Sequence, residues 1–520
     1  MPSSSRPPQN RSRQGRPGQS GPTRPDDAPR PTKHRKGPRP TYREDADPAI
    51  VTVGQGGRPA DAPRPARPRR NPKPYREEAE PAILTVAQGA RQAEQEQPER
   101  RRGPGNHPNP TRPRQSDRPA PDMPPVTVTI DRIVGDGKGI GFADGKTIFV
   151  ARTAPGDVVS ARVTRAQGKV LHAEITEIIT PSPMRIEPRV ADYDASGGLD
   201  LMHIGYADQL AVKASIITDC LRRIAKLDPV PEVDVVASPQ EWEYRSRAEF
   251  QIDQKTKAVG YFAGQTHRVV DVPESPVLIP TVQLLLSTLR DDMQAGLVPP
   301  TAREYRAVAG ETGSVLEQTA TPNSRMVLQS VGEETYRYAA ECFFQGNIGV
   351  AAKMVQHIIR IAEEAKINPG YALDLYSGVG LFTVPLARLF KRTIAVESYP
   401  PATKWAETNI ADANLASRAR VVTAPVERWL ADDRSPLGRV ALAVFDPPRT
   451  GAGPEVIEAL VKLRPAHIAA VSCDPATFAR DLRGLLDAGY ELVDVQGYDM
   501  FPQTHHVEII GHLRRGDAYE

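Results

Sequence analysis

A break in composition near residue 125 sets what this chain can fold into. Of its 52 prolines, 27 lie in residues 1–125, among many Arg, Gln and Gly. Such a stretch cannot bury enough apolar surface to offset the entropy lost on ordering, so residues 1–124 are expected to be a disordered tail. Residues 1–125 carry 25 Lys+Arg against 14 Asp+Glu, about +11, and the rest carry 42 against 50, about −8. A basic tail on an acidic body suits a polyanionic partner, because phosphates attract Lys and Arg without sequence preference. A solubilising tail is the plainer alternative. Within the tail, "TYREDADPAIVTVGQGGR" (41–58) recurs as "PYREEAEPAILTVAQGAR" (74–91). Two copies are too few for a solenoid, and the repeat points to no function.

Several classes are disfavoured. Cys220, Cys342 and Cys473 lie far apart, which argues against a disulfide framework or a zinc site, so no metal site is expected. No apolar run reaches the ~18–20 residues that cross a bilayer. The opening "MPSSSRPPQN" lacks the apolar core of a signal peptide. A reducing, cytoplasmic setting is expected, with no membrane and no obligate protein partner evident.

From residue 125 the pattern changes. "VTVTI" alternates apolar and polar residues, and "GDGKGIG" and "ADGK" turns separate it from "TIFV", "DVVSARVTRA" and "HAEITEII". Short alternating strands with glycine turns predict a small OB-like β-barrel over 125–182. Lys138, Lys146, Arg152, Arg162, Arg165 and Lys169 edge it with cations. The stretch resembles a TRAM domain, which implies RNA binding. Residues 183–345 mix helical spacing ("YADQLAVKASIITDCLRRIA", "PTVQLLLSTLRDDMQAG") with strand patterns, predicting an α+β domain that helps to hold the substrate. Arg245 and Arg247 in "EYRSRAEF" are candidates for an RNA-facing strand, against an ion-paired surface. Over 346–520, strands alternate with helical segments, which predicts a Rossmann-like parallel sheet wound on both faces. The whole is a multidomain α/β chain.

Ligands in such sheets bind beyond the carboxyl ends of the strands, and the informative residues cluster there. "DLYSGVG" (374–380) runs from a strand into a Gly-rich turn and a helix. It is neither G-x-G-x-x-G nor a Walker loop, which disfavours dinucleotides and nucleoside triphosphates. Glu397 closes the next strand, where a carboxylate can accept hydrogen bonds from both ribose hydroxyls. That turn and acid resemble class I S-adenosylmethionine (SAM) methyltransferases. "VFDPPRTG" puts Asp446 at a later strand end on a proline-stiffened loop, with Arg449 where amino-methylating relatives carry an aromatic residue. In "AVSCDPATFAR", Cys473 follows an apolar run directly. In "FPQTHHVEII", Glu508 interrupts a strand otherwise apolar from Val507 to Ile510, a costly placement without a role.

A thiol and a carboxylate of this kind fit methylation at carbon-5 of uracil. That carbon becomes nucleophilic only after a thiolate adds to carbon-6, and a base must later remove the carbon-5 proton. "FFQGN", "DLYSGVG", "DPPRTG", "SCDP" and "FPQTHHVE" occur in the order found in the RNA uracil-5 methyltransferase family, which the chain resembles over about 125–520. The resemblance implies SAM as methyl donor, held by Gln345, Tyr376, Glu397 and Asp446, with Cys473 as nucleophile and Glu508 as general base. It implies ribosomal or transfer RNA as substrate. Many relatives bind an iron–sulfur cluster before a Gly-Gly pair. Here Val190, Ser196 and Leu199 stand at the thiolate positions, so no cluster is expected. Leu381 replaces an Asn of several relatives and Asp474 an Asn of many, which leaves one donor contact in doubt at Leu381. Two other readings compete: an RNA-binding or RNA-folding protein that holds the donor without turning it over, and an RNA cytosine-5 methyltransferase.

Overall fold

A computed structural model describes residues 123–190, 198–264, 266–368, 370–432 and 438–516. The expected tail up to residue 122, with its duplicated motif, and Ser196 and Gly197 lie outside the described residues.

Strands β1 (Val126–Ile133), β2 (Lys138–Ala143), β3 (Lys146–Ala151), β4 (Val158–Gln167) and β5 (Val170–Thr180) close into a barrel, in the order β1-β2-β3-β5-β4. The alternation in "VTVTI" sends Val128 and Ile130 into the barrel core and leaves Thr127 and Thr129 outside. Asp157 ties the barrel to the segment after β5. Its carboxylate accepts hydrogen bonds from Ala154 N and Ser182 N and pairs with the Arg185 guanidinium. Burial alone would raise its pKa, but these partners bring it below the ordinary value.

The middle of the chain holds helix α1 (Tyr206–Arg223), the short β6 (Val235–Val236), then β7 (Arg247–Asp253), β8 (Ala258–Phe262), β9 (Val269–Asp271), α2 (Pro280–Gln294), β10 (Glu304–Ala309) and β11 (Ser314–Gln318). A sheet in the order β11-β10-β7-β8-β9 packs against α2 through Val282, Leu286, Leu289 and Met293, one helical stripe. A hairpin of β12 (Met326–Val331) and β13 (Glu334–Ala339) comes next. Val190 and Leu199, two of the expected thiolate positions, pack as apolar side chains on the core of this sheet.

Of the two candidates for an RNA-facing strand, Arg245 is buried and Arg247 half-buried, and both are engaged by protein groups. Arg245 is buried, with its guanidinium 5.0 Å over the Phe501 ring. Arg247 donates to the carbonyls of Cys342 (2.8 Å) and Phe344 (3.3 Å). A strand pattern gives the two alternating faces but does not say that a later segment covers one of them.

The C-terminal part runs α3 (Ile348–Ala365), β14 (Tyr371–Leu375), α4 (Thr383–Leu389), β15 (Thr393–Glu397), α5 (Pro400–Asp412), β16 (Ala419–Thr423), α6 (Val426–Ala431), β17 (Val440–Phe445), α7 (Pro454–Lys462), β18 (His467–Ser472), α8 (Pro475–Asp487), β19 (Tyr490–Tyr498) and β20 (Glu508–Arg515). Its sheet has eight strands in the order β16-β15-β14-β17-β18-β20-β19-β6. Strands β14, β17 and β18 are buried along their whole length, as parallel strands covered on both faces must be. The sheet is not all parallel. β20 runs antiparallel to both β18 and β19, because the nine residues joining β19 to β20 suffice for a hairpin and are too few for a crossover. That reversal puts the first residue of β20, rather than its last, at the sheet edge where β14, β17 and β18 end.

Candidate active site

The chain leaves β14 toward β15 on one side and later returns through β17 on the other, so strand order reverses between β14 and β17. A crevice at such a switch point is the usual ligand position in an open sheet. Tyr376 and Asp446 come directly after the two flanking strands, with Glu397 near Tyr376 and with Cys473 and Glu508 near Asp446.

The β14–α4 turn is strained. Tyr376 has φ of 63°, Gly378 53° and Gly380 94°. A tyrosine in the left-handed region is uncommon and costs of order 1 kcal/mol or more. The turn is tied to Glu397 at the end of β15, whose carboxylate accepts from Gly378 N (3.1 Å) and Tyr399 N (2.7 Å). Gln345 is buried two residues before Asn347, which caps α3 by accepting from Val350 N (3.2 Å). Asn347 also donates to Ser238 Oγ and Met500 O, which ties "FFQGN" to the segment that precedes "FPQTHH".

Asp374 belongs here and was not singled out in the sequence. It is 1 % exposed, accepts from Thr383 Oγ1 through Oδ2, and leaves Oδ1 without a partner. Burial pushes its pKa up to about 7, with the Asp446 and Glu397 carboxylates adding to the rise. The neighbouring Ser377 Oγ is also buried and unpartnered. The signal was there: Asp374 is a charge inside the apolar "ALDL", the same anomaly that marks Glu508. Asp446 is likewise pushed up to about 7 by burial. A buried carboxyl whose charge is disfavoured by burial and by two nearby carboxylates, beside orphaned polar atoms, forms a cradle suited to a polar cationic ligand. A sulfonium donor with an amino-acid tail and a ribose has that chemistry.

Across the switch point, β18 and β20 are paired down to Ser472 opposite Ile509. Cys473 comes directly after β18 and Glu508 is the first residue of β20, so both stand one residue beyond that last pair. Cys473 is half-buried and Glu508 is 4 % exposed. Burial raises the Cys473 thiol well above its ordinary pKa; the nearby Glu508 carboxylate adds to the rise and the Arg449 guanidinium opposes it. Burial pushes Glu508 up to about 8, with Asp446 adding to the rise and Arg449 again opposing it. Arg449 is thus the cation shared by the pair, a role that its position in "DPPR" did not reveal. Asp474, next to Cys473, caps α8 by accepting from Ala476 N and Thr477 N, which fixes where β18 stops.

The "FPQTHH" loop is held from several sides. Lys213 on α1 pairs with Asp499 in full burial and donates to Phe501 O (3.0 Å). Tyr244 OH donates to Pro502 O (2.9 Å), and Gln209 exchanges hydrogen bonds with Gln503. His505 Nδ1 lies 2.6 Å from Asp200 Oδ2. The barrel reaches the same point: a Cβ built on Gly137 of "GDGKGIG" would stand 2.1 Å from Asp200 Oδ2 and 2.7 Å from His505 Nδ1. The glycine turn read as barrel punctuation is therefore also a docking surface for the "FPQTHH" loop.

An open sheet with this switch-point cradle defines a class I SAM-dependent methyltransferase. The family model for tRNA (Uracil-5-)-methyltransferase matches residues 323–515, and that for the TRAM domain matches 125–176. A Pseudomonas entomophila (strain L48) protein named 23S rRNA (uracil(1939)-C(5))-methyltransferase RlmD is 30% identical over 426 residues, covering 74% of this chain and 93% of its own. An Aquifex aeolicus (strain VF5) protein named only as an RNA methyltransferase is 28% identical over 430 residues, covering 76% of this chain and 99% of its own. The fold matches a Pyrococcus abyssi tRNA (uracil-54, C5)-methyltransferase solved with S-adenosyl-L-homocysteine, with a TM-score of 0.58 at 23% identity over 75% of this chain and 100% of the other. The chain belongs to the RNA uracil-5 methyltransferase family and is a SAM-dependent enzyme acting on RNA. Among the described residues no helix is long and apolar enough to cross a membrane.

Proposed function

We propose that the protein forms 5-methyluridine in structured ribosomal or transfer RNA through a covalent bond between Cys473 and the target uracil. One observation carries the reading: Cys473 directly follows β18 and Glu508 opens β20, each one residue beyond the paired Ser472 and Ile509, and the Glu508 carboxylate is near enough to act on the Cys473 thiol. In this reading Cys473 Sγ, as a thiolate, bonds to carbon-6 and the ring becomes an enolate. Gln345, Tyr376, Glu397, Asp446 and Asp374 would hold SAM, which would supply an electrophilic methyl group to carbon-5, its sulfur–methyl bond breaking to leave S-adenosylhomocysteine. Glu508 then takes the carbon-5 proton, the carbon–sulfur bond breaks, and Cys473 leaves as a thiolate. Arg449 favours the anionic forms of both groups and so lowers the cost of holding them in a buried site.

The target nucleotide must be flipped out to reach Cys473. The cationic edge of the barrel and the basic tail supply phosphate contacts, so affinity falls as salt rises. The RlmD relative favours ribosomal over transfer RNA, and the cytoplasm is the setting in which either is met.

The test uses RNA carrying 5-fluorouridine, whose carbon-5 fluorine cannot be removed as a proton, so the adduct persists. A protein–RNA band on a denaturing gel, dependent on SAM and absent in Cys473→Ala, is the expected result. No band with ribosomal or transfer RNA would leave an RNA-binding protein that holds SAM without using it. Analysis of the methylated nucleoside separates uridine from cytidine methylation.

A further inference from the structure

The β18–β20 pair has a second cluster at its other end, which the methylation chemistry does not use. His467 opens β18, His512 lies on β20, and Glu364 sits in the last turn of α3. Ala469 faces His512 in register, so both imidazoles share one face of the pair. That is also the face on which α3 packs, through a core that includes Ala469, Val471 and Ile510. His467 Nδ1 lies 3.0 Å from His512 Nε2, with the rings stacked at 5.3 Å and 19°. One nitrogen or carboxylate oxygen from each of Glu364, His467 and His512 lies within 4.8 Å of the others.

Two buried imidazoles are poorly satisfied by one another. His467 is fully buried and its Nε2 has no partner among the described residues. If His467 Nδ1–H donates to His512, then Nε2 is an unmet acceptor; if His512 donates, Nε2–H is an unmet donor. The two other neutral arrangements set two N–H groups or two lone pairs against each other, and a cation bound by both nitrogens relieves the second. A neutral imidazole keeps its proton on one nitrogen and a free lone pair on the other, which is what a metal ligand needs. Tetrahedral zinc with Zn–N of about 2.0–2.1 Å sets its ligand atoms about 3.3 Å apart, close to the spacing of the two nitrogens.

We propose that Glu364, His467 and His512 bind a divalent transition-metal ion of the zinc class, which clips α3 to the strand pair bearing Cys473 and Glu508. Two imidazoles and one carboxylate fill three of four positions, and water enters from the side of half-buried Glu364 for the fourth. Asp494 faces His512 in register on β19, and its Oδ2 lies 3.1 Å from His357 Nε2. This second carboxylate at the rim adds to the pull on a cation. The site is structural: it lies at the opposite end of β18 and β20 from the cradle.

The experiment uses the full chain, stripped with chelator and then dialysed against Zn²⁺, with bound metal measured by elemental analysis. About one zinc per chain is expected in the wild type, with affinity weakened at least about ten-fold in both Glu364→Gln and His512→Gln. Glu364→Gln alters a half-buried helix residue and is the variant expected to fold; thermal melts check both. Co²⁺ should give the visible absorption of a tetrahedral site in the wild type and lose it in Glu364→Gln. Zinc should raise the wild-type melting temperature and leave that of Glu364→Gln unchanged. No zinc retained by the wild type, or equal zinc in the wild type and Glu364→Gln, overturns the proposal.

Discussion

The two ends of the β18–β20 pair make opposite use of the same geometry. Each end sets two ionisable side chains next to each other, in a setting that disfavours charge. At the carboxyl end of β18 burial raises a thiol and a carboxyl; at the amino end it lowers two imidazoles. Both pairs are thereby held neutral. What differs is the surroundings. Cys473 and Glu508 face Arg449 and Asp446 on the stiff "DPPR" loop, so their charges can be switched by whatever enters the crevice. His467 and His512 face the packed α3 and the carboxylate of Glu364, with Asp494 at the rim, a setting that holds one state. Identical strand pairing thus gives a reactive end and a fixed end, and the loop chemistry decides which is which.

The largest effect that would break this contrast is expected at the reactive end. Cys473→Ala should abolish the 5-fluorouridine adduct and all methyl transfer, whereas Glu364→Gln should leave the adduct intact on the same gel. Next, Glu508→Gln should lower turnover by about 10²–10⁴-fold while an adduct with ordinary uridine RNA accumulates, because release is blocked.

The same variant sharpens the stability comparison. Glu508 has a folded pKa of about 8 against an ordinary 4.5, so the folded state holds the extra proton between those values and stability falls as pH rises through that window. Glu508→Gln should therefore be more stable than the wild type at pH 9, by at least about 1 kcal/mol in urea melts. The gap should close below about pH 4.5. At the cradle, Asp374 and Asp446 have pKa values of about 7, so protons compete with a cationic ligand. SAM affinity measured by calorimetry should weaken as pH falls below 7, by up to about ten-fold per unit for each group. The smallest effect concerns the barrel. Gly137→Ala meets both a φ of 77° and the Asp200–His505 pair, so it should cost about 1–3 kcal/mol. Its mark should be a raised KM for RNA with SAM binding unchanged.

Much of this was legible in the sequence because it depends on local pattern. The barrel comes from alternation and glycine turns, and α1, α2 and α3 from helical spacing. The residues now at the crevice stand out as anomalies: a cysteine ending an apolar run, an acid inside one, an acid closing a strand. Asp374 shows the same anomaly, but the glycines beside it mask the signal. Arg245 and Arg247 misled because alternation gives two faces without saying which is covered. The histidine pair was invisible for another reason: its members are 45 residues apart on strands whose pairing only the sheet defines, and Glu364 is more than 100 residues from either.

Chain order and residue type, then, determined the segments, the chemistry on offer and the family, since each depends on neighbours within a turn or a strand. Only the tertiary structure decided that β20 runs backward, bringing Glu508 beside Cys473, and that Gly137 of the barrel bears on the "FPQTHH" loop. It also set the charge of each buried group. Those outcomes depend on long-range pairing and on the removal of water, and neither is written in any short stretch of residues.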